Sequence, residues 1–183
     1  MKPVIYVDMD GVLADLDGML ASQFGLDEAT LLSDRQRRSD LITESIKKNG
    51  LQHWLSIPPI HPEKWYQALG LWDVRGSRLE VLTSYGEQNV GDYGSRAHGM
   101  KVSWLRSFYD STFAGFNGVQ FCEQKALFAR PHTILIDDQP DNVRGFNEAG
   151  GIGILYTAAT HGAVITRVDQ AIARVKQMET QCS

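Results

Sequence analysis

Five short apolar runs bounded by turn-forming residues recur along the chain, at residues 4–7, 79–82, 119–121, 133–136 and 152–156. Continuous runs of this length predict strands buried on both faces. Between the later runs lie segments of helical spacing, at 100–109, 142–149 and 164–178. Strands and helices alternating in this way predict a parallel sheet covered on both sides, an α/β three-layer sandwich with a Rossmann-like core.

Two intervals break the alternation. Residues 15–75 are long, charged between 34 and 48 and mostly helical in spacing, which predicts a small helical cap inserted after the first strand, leaving 1–14 and 76–183 as the core. The exit from that insertion, residues 54–62, holds three prolines in five residues, so the return hinge is placed there. Residues 85–99 follow the second strand with four glycines and predict a mobile surface loop.

Composition narrows the class only slightly. With 183 residues, 43% hydrophobic and 22% charged, the chain is expected to fold as one body without disorder or a fibrous repeat. A net charge of −4 argues against a broad basic face for long nucleic acid, but local cations can still hold a small anion. Two cysteines, Cys122 and Cys182, are too few for a disulfide framework or a zinc cluster and suit a reducing compartment. The first apolar run meets Asp8 too early for a signal peptide, and no stretch reaches bilayer-crossing length. The expectation is a cytoplasmic protein without membrane association, its oligomeric state open, a homodimer included.

The chemistry gathers where ligands of open parallel sheets bind, beyond the carboxyl ends of the strands. The first strand runs into Asp8-Met9-Asp10-Gly11, the second into Thr83-Ser84 and the fourth into Asp137-Asp138, with Lys101 and Lys125 within reach of the same edge. Crowded carboxylates repel one another unless a divalent cation holds them, and their hard oxygens suit magnesium. Magnesium, an ammonium and a hydroxyl pair together fit a phosphoryl group. A calcium loop of the EF-hand kind would need Asp or Asn at Val12 and Gly at Leu13, and fails on both. The five histidines show no metal-binding spacing, while Trp65 and Trp72 are expected in the cap core and Trp104 in the main core.

Asp8-Met9-Asp10-Gly11-Val12, Leu82-Thr83-Ser84, Lys125 and Ile136-Asp137-Asp138-Gln139-Pro140-Asp141-Asn142 resemble, in order, the four motifs of the haloacid dehalogenase superfamily, across residues 4–156. Within it, the run from Asp8 to Asp15 and the later Lys101-Val102-Ser103-Trp104 are similar to the 5′(3′)-deoxyribonucleotidase family. The resemblance implies a magnesium-dependent phosphatase in which Asp8 attacks phosphorus and Asp10 serves as general acid and base. It implies that Thr83, Ser84 and Lys125 hold the phosphate, with Lys101 a second cation and a rival for that role. Asp8, the Asp10 backbone carbonyl and the Asp137-Asp138 pair would form the magnesium shell, and which of the pair touches the ion is open. The implied substrate is a small phosphorylated metabolite, foremost a nucleoside monophosphate, with Leu16, His53 and Trp54 at the substrate side of the cap. The chain departs from the mammalian deoxyribonucleotidases in having Leu16 where they carry an aromatic residue and Glu123 where they carry Arg. A phosphatase for polynucleotide ends and a non-catalytic phosphate-binding module are the alternatives to this reading.

Overall fold

The computed structural model describes residues 2–28, 31, 34–84, 92–109 and 116–181. Strands β1 (Val4–Val7), β2 (Arg78–Thr83), β3 (Gly118–Phe121), β4 (Thr133–Asp137) and β5 (Ile152–Leu155) form one parallel sheet in the order β3-β2-β1-β4-β5. Each coincides with an expected strand to within a residue at either end.

Side chains alternate across the sheet with the period of two that a pleated strand imposes. Ile5 and Val7 of β1, Leu79 and Val81 of β2, and Ile134 and Ile136 of β4 join one large apolar cluster. Tyr6, Leu82 and Leu135 join a smaller one on the opposite face with Phe146 and Ala129. Helices α1 (Leu16–Phe24), α2 (Arg35–Asn49), α3 (Gln52–Leu55), α4 (Pro62–Val74), α5 (Asp92–Tyr109), α6 (Pro140–Glu148) and α7 (His161–Gln181) complete the described elements, with short 3-10 turns at Lys125–Phe128 and Ala158–Thr160. Helices α4, α5 and α7 supply Trp65, Trp72, Trp104 and Val168 to the large cluster, and α6 supplies Phe146 to the small one, so the sheet is covered on both sides. The three-layer α/β sandwich expected from the sequence is the observed architecture.

The segment inserted after β1 is helical in its described residues. Asp15 caps α1 by accepting from the Gly18 N–H, and Gly25 closes that helix in the left-handed conformation. Asp34 caps α2, which ends on Lys47 and Lys48, where cations complement the exposed carbonyls. The returning chain crosses the outgoing one at the expected proline-rich stretch. There the Asp15 N–H donates to the Pro58 carbonyl at 2.8 Å, the Ile60 N–H donates to Leu13 at 2.8 Å, and Ala14 pairs antiparallel with Pro59.

Two details differ from the expectations. Helix α4 packs on β2, and its Trp65 and Trp72 lie against Tyr156 and Asp169 rather than among the helices of the insertion. The glycine-rich stretch expected as a loop over 85–99 is helical from Asp92 onward, while 85–91 lie outside the described residues. Ala97, Lys101, Trp104 and Leu105 form one buried face, and its burial outweighs the helix penalty of Gly94 and Gly99, about 1 kcal/mol each.

Candidate active site

The register of the sheet brings the acids together. Val7 pairs with Val81 on one side and with Ile136 on the other, so the next residue, Asp8, stands level with Leu82 and Asp137 at the carboxyl edge. The Asp8 N–H still donates to the Ile136 carbonyl at 2.9 Å, so the acid leaves the sheet only after the last ladder bond. Because β2 lies on one side of β1 and β4 on the other, this edge is the point where the strand order reverses, the usual ligand crevice of such sheets.

Behind Asp8 the chain folds into a tight turn in which the Leu13 and Ala14 N–H groups both donate to the Met9 carbonyl at 2.9 Å. Gly11 sits in it at φ 80°, and a Cβ built there would come within 2.5 Å of Asp138 Oδ2. The glycine thus admits both the left-handed backbone and the second acidic loop.

Asp8, Asp137 and Asp138 each offer an oxygen within 4.8 Å of the others. Asp8 Oδ1 accepts from the Met9 N–H at 2.7 Å, and Oδ2 meets Lys125 Nζ at 2.8 Å. The same ammonium reaches Asp137 Oδ2 at 2.6 Å, so Lys125 bridges the two strand ends. Asp137 is further held by the Gln139 N–H at 2.8 Å and by Asn142 Nδ2 at 3.1 and 3.2 Å. Asp138 Oδ2 accepts from Gln139 Nε2 at 2.7 Å, whereas its Oδ1 is buried with no partner among the described residues.

Asp10, two residues beyond Asp8, has different company. Its Oδ2 lies 2.6 Å from Lys101 Nζ, and its buried Oδ1 has no partner among the described residues. Lys101 is fully buried and also donates to Thr83 Oγ1 at 3.1 Å and to the Ser84 carbonyl at 3.2 Å. The Asp10 side chain therefore stands outside the three-carboxylate set.

Burial pushes the Asp8 carboxyl up to about 6, with Lys125 opposing and the neighbouring acids adding to the rise. Burial pushes Asp138 further, to about 8, with Asp8 and Asp137 adding to it. For Lys125, burial works against the charge, but Asp8 and Asp137 win and hold the ammonium above the ordinary lysine range. Three hard carboxylates crowded together, two of them with raised pKa and one with an orphaned oxygen, fit a hard divalent cation. Asp8, Asp137 and Asp138 are thus the residues that could hold a metal ion.

A cavity of about 520 Å³ opens over this edge. The strand ends and their loops line it with Asp8, Asp10, Ser84, Lys125 and Asp138, and the inserted segment faces them with Leu16, Arg38, Ile42 and Trp54. Leu16 and Trp54 thus lie where substrate-side residues were expected. Trp54 is only 2% exposed and carries Lys101 Nζ at 4.9 Å from its ring centre, so it has no open face for a stacked base in this conformation. His53 stands behind the lining: it is fully buried, bonds Ser45 Oγ through Nδ1 at 2.8 Å and meets the Trp54 ring edge-on. Burial pushes its imidazole down to about 4, so it is neutral near pH 7. Thr83 is fully buried, its hydroxyl meeting Lys101 rather than the cavity.

Gln139, Asn142, Arg38 and Ile42 had no assigned role in the sequence reading. The first two fall inside the quoted acidic motif, so their position was visible. Arg38 and Ile42 lie on an inserted helix with no local signature, and only the tertiary fold carries them to the cavity.

No protein-family profile matches the sequence, and no curated protein does. Among solved structures, a haloacid dehalogenase-like family hydrolase from Xanthomonas campestris is similar over 97% of this chain and 94% of its own, with a TM-score of 0.59 and 13% identity. A HAD-like family hydrolase from Porphyromonas gingivalis covers 92% of this chain and 98% of its own at 17% identity, with a TM-score of 0.49. The first likeness is one of fold: this chain has the fold of haloacid dehalogenase-like hydrolases.

Proposed function

We propose that the protein is a magnesium-dependent phosphomonoesterase of the haloacid dehalogenase type that works through an aspartyl phosphate on Asp8. The observation that carries this reading is the different surroundings of two acids only two residues apart. Asp8 faces Lys125 and the Asp137-Asp138 pair, whereas Asp10 is tied by one oxygen to Lys101 and keeps the other unpartnered.

In this reading, Asp8 attacks the phosphorus of a bound ester, forming the Asp8 O–P bond as the bond to the leaving alcohol breaks. Asp10, through its unpartnered Oδ1, gives that alcohol its proton. Asp10 then takes a proton from a water that attacks the aspartyl phosphate, which releases inorganic phosphate and restores Asp8. Lys125 and Ser84 hold the transferring oxygens, and Lys101 keeps Asp10 and Thr83 in place. Magnesium held by Asp8, Asp137 and Asp138, with the Asp10 carbonyl as a further ligand, would neutralise charge on the phosphoryl oxygens. The inserted residues 15 to 75 would act as a cap that keeps bulk water from the acyl phosphate.

The substrate is a small phosphorylated metabolite, and nucleoside monophosphates, the class carried by the deoxyribonucleotidase-like residues, are the first to try. Phosphate release from p-nitrophenyl phosphate and a nucleotide panel with magnesium tests the activity. Asp8→Asn is expected to lower turnover at least 10³-fold with the fold retained by circular dichroism, since an amide cannot attack phosphorus. Turnover of Asp8→Asn close to the parent would overturn the mechanism.

A further inference from the structure

The wall that the inserted segment gives to the cavity is uneven in its chemistry. Leu16 and Ile42 are apolar, and Arg38 is the cation of that wall. Lys101 and Lys125 are buried, and each lies 2.6 Å from an acid at the strand ends, so neither reaches toward the far side of a substrate. The Arg38 side chain keeps 22% of its surface exposed.

Arg38 is also held in place. Its Nε donates to Asp17 Oδ1 at 2.5 Å and its Nη2 to Oδ2 at 3.4 Å, from an Asp17 side chain that is 7% exposed. That bridge occupies one edge of the guanidinium and leaves three of its five N–H donors outside it. A fork anchored on one edge and spare on the other is pre-organised for a planar or tetrahedral anion.

We propose that Arg38 forms a subsite for a second anionic group on the substrate, so that the preferred ester carries a carboxylate or a further phosphate on its leaving alcohol. This rests on the phosphomonoesterase reading and narrows its substrate class. In that reading the transferring phosphate lies at Asp8, flanked by Lys125 and Ser84, which leaves the cation of the inserted segment's wall for another anionic group. The cavity volume, about 520 Å³, suits a metabolite-sized ester.

Matched substrate pairs test the subsite: 3-phosphoglycerate against glycerol 3-phosphate, and a nucleoside 3′,5′-bisphosphate against its 5′-monophosphate. The anion-bearing member of at least one pair is expected to lead in kcat/KM by roughly 10- to 100-fold, the worth of a charged hydrogen bond. Arg38→Met is expected to remove that lead, and Arg38→Lys, which keeps the charge without the fork, to retain part of it. Calorimetric titration of Asp8→Asn with the same pairs reads the preference without turnover. Absence of any preference in both assays, or a loss in Arg38→Met shared equally by both members of a pair, would overturn the subsite. Preferential binding of the anion-bearing member by Asp8→Asn, alongside a parent protein that hydrolyses no ester, would leave the subsite standing and sink the phosphatase reading.

Discussion

Asp8 and Asp10 show how neighbouring side chains of one type acquire different surroundings. Each sits at the same strand end, but Lys125 and Lys101 divide them, one acid for each ammonium at 2.8 and 2.6 Å. Gly11 completes the arrangement by letting Asp138 approach. Gly11→Ala should cost about 1–3 kcal/mol through its left-handed backbone. It should also push Asp138 out of the metal set, so magnesium affinity measured by calorimetry should fall together with stability. Unchanged affinity would show that Asp138 needs no such approach. The acids were legible in the sequence because each follows an apolar run at a strand end. Their partners were only half legible: Lys101 and Lys125 were rivals for a phosphate, and the structure places the first on Asp10 and the second between Asp8 and Asp137. Thr83, expected on the phosphate, is buried with its hydroxyl on Lys101.

At the scale of elements, the crossing between the sheet and the inserted segment is held by indoles. Trp65 Nε1 donates to the Val12 carbonyl at 3.1 Å on the outgoing segment, and Trp104 Nε1 donates to the Ile57 carbonyl at 2.7 Å on the returning one. Both rings are fully buried, so each also satisfies a carbonyl that would otherwise be costly to bury. Trp104→Phe keeps most of the apolar volume but strands the Ile57 carbonyl, a loss of about 1–3 kcal/mol that a urea melt would register. An unchanged midpoint would mean that water replaces the indole at no cost. The strands were readable from short apolar runs because parallel strands are buried on both faces. The start of α5 was not, because glycines and polar residues signalled a loop while the buried face that favours the helix is set by the rest of the molecule.

At the scale of the whole molecule, the acid cluster couples metal, proton and stability. Without metal, Asp8 and Asp138 keep protons up to about 6 and about 8, whereas in the unfolded chain they would lose them near the ordinary carboxylate value. Folded acids with raised pKa favour the folded state at low pH and withdraw that stability as pH climbs through this window. A divalent cation held by these acids would displace the same protons, so its contribution would grow with pH. The rise in melting temperature on adding magnesium should therefore be larger at pH 8 than at pH 6. Equal rises would contradict a metal site built on these two acids. No helix among the described residues is long and apolar enough to cross a membrane.

The proposed covalent step on Asp8 is the most direct point of test. Rapid acid quench of the enzyme during turnover with magnesium, followed by borohydride reduction and peptide mass mapping, converts an aspartyl phosphate to homoserine at its own position. Homoserine at Asp8, formed only when substrate is present, is the predicted result. Continued phosphate release with Asp8 unmodified, or modification at Asp10 or Asp137 instead, would contradict it.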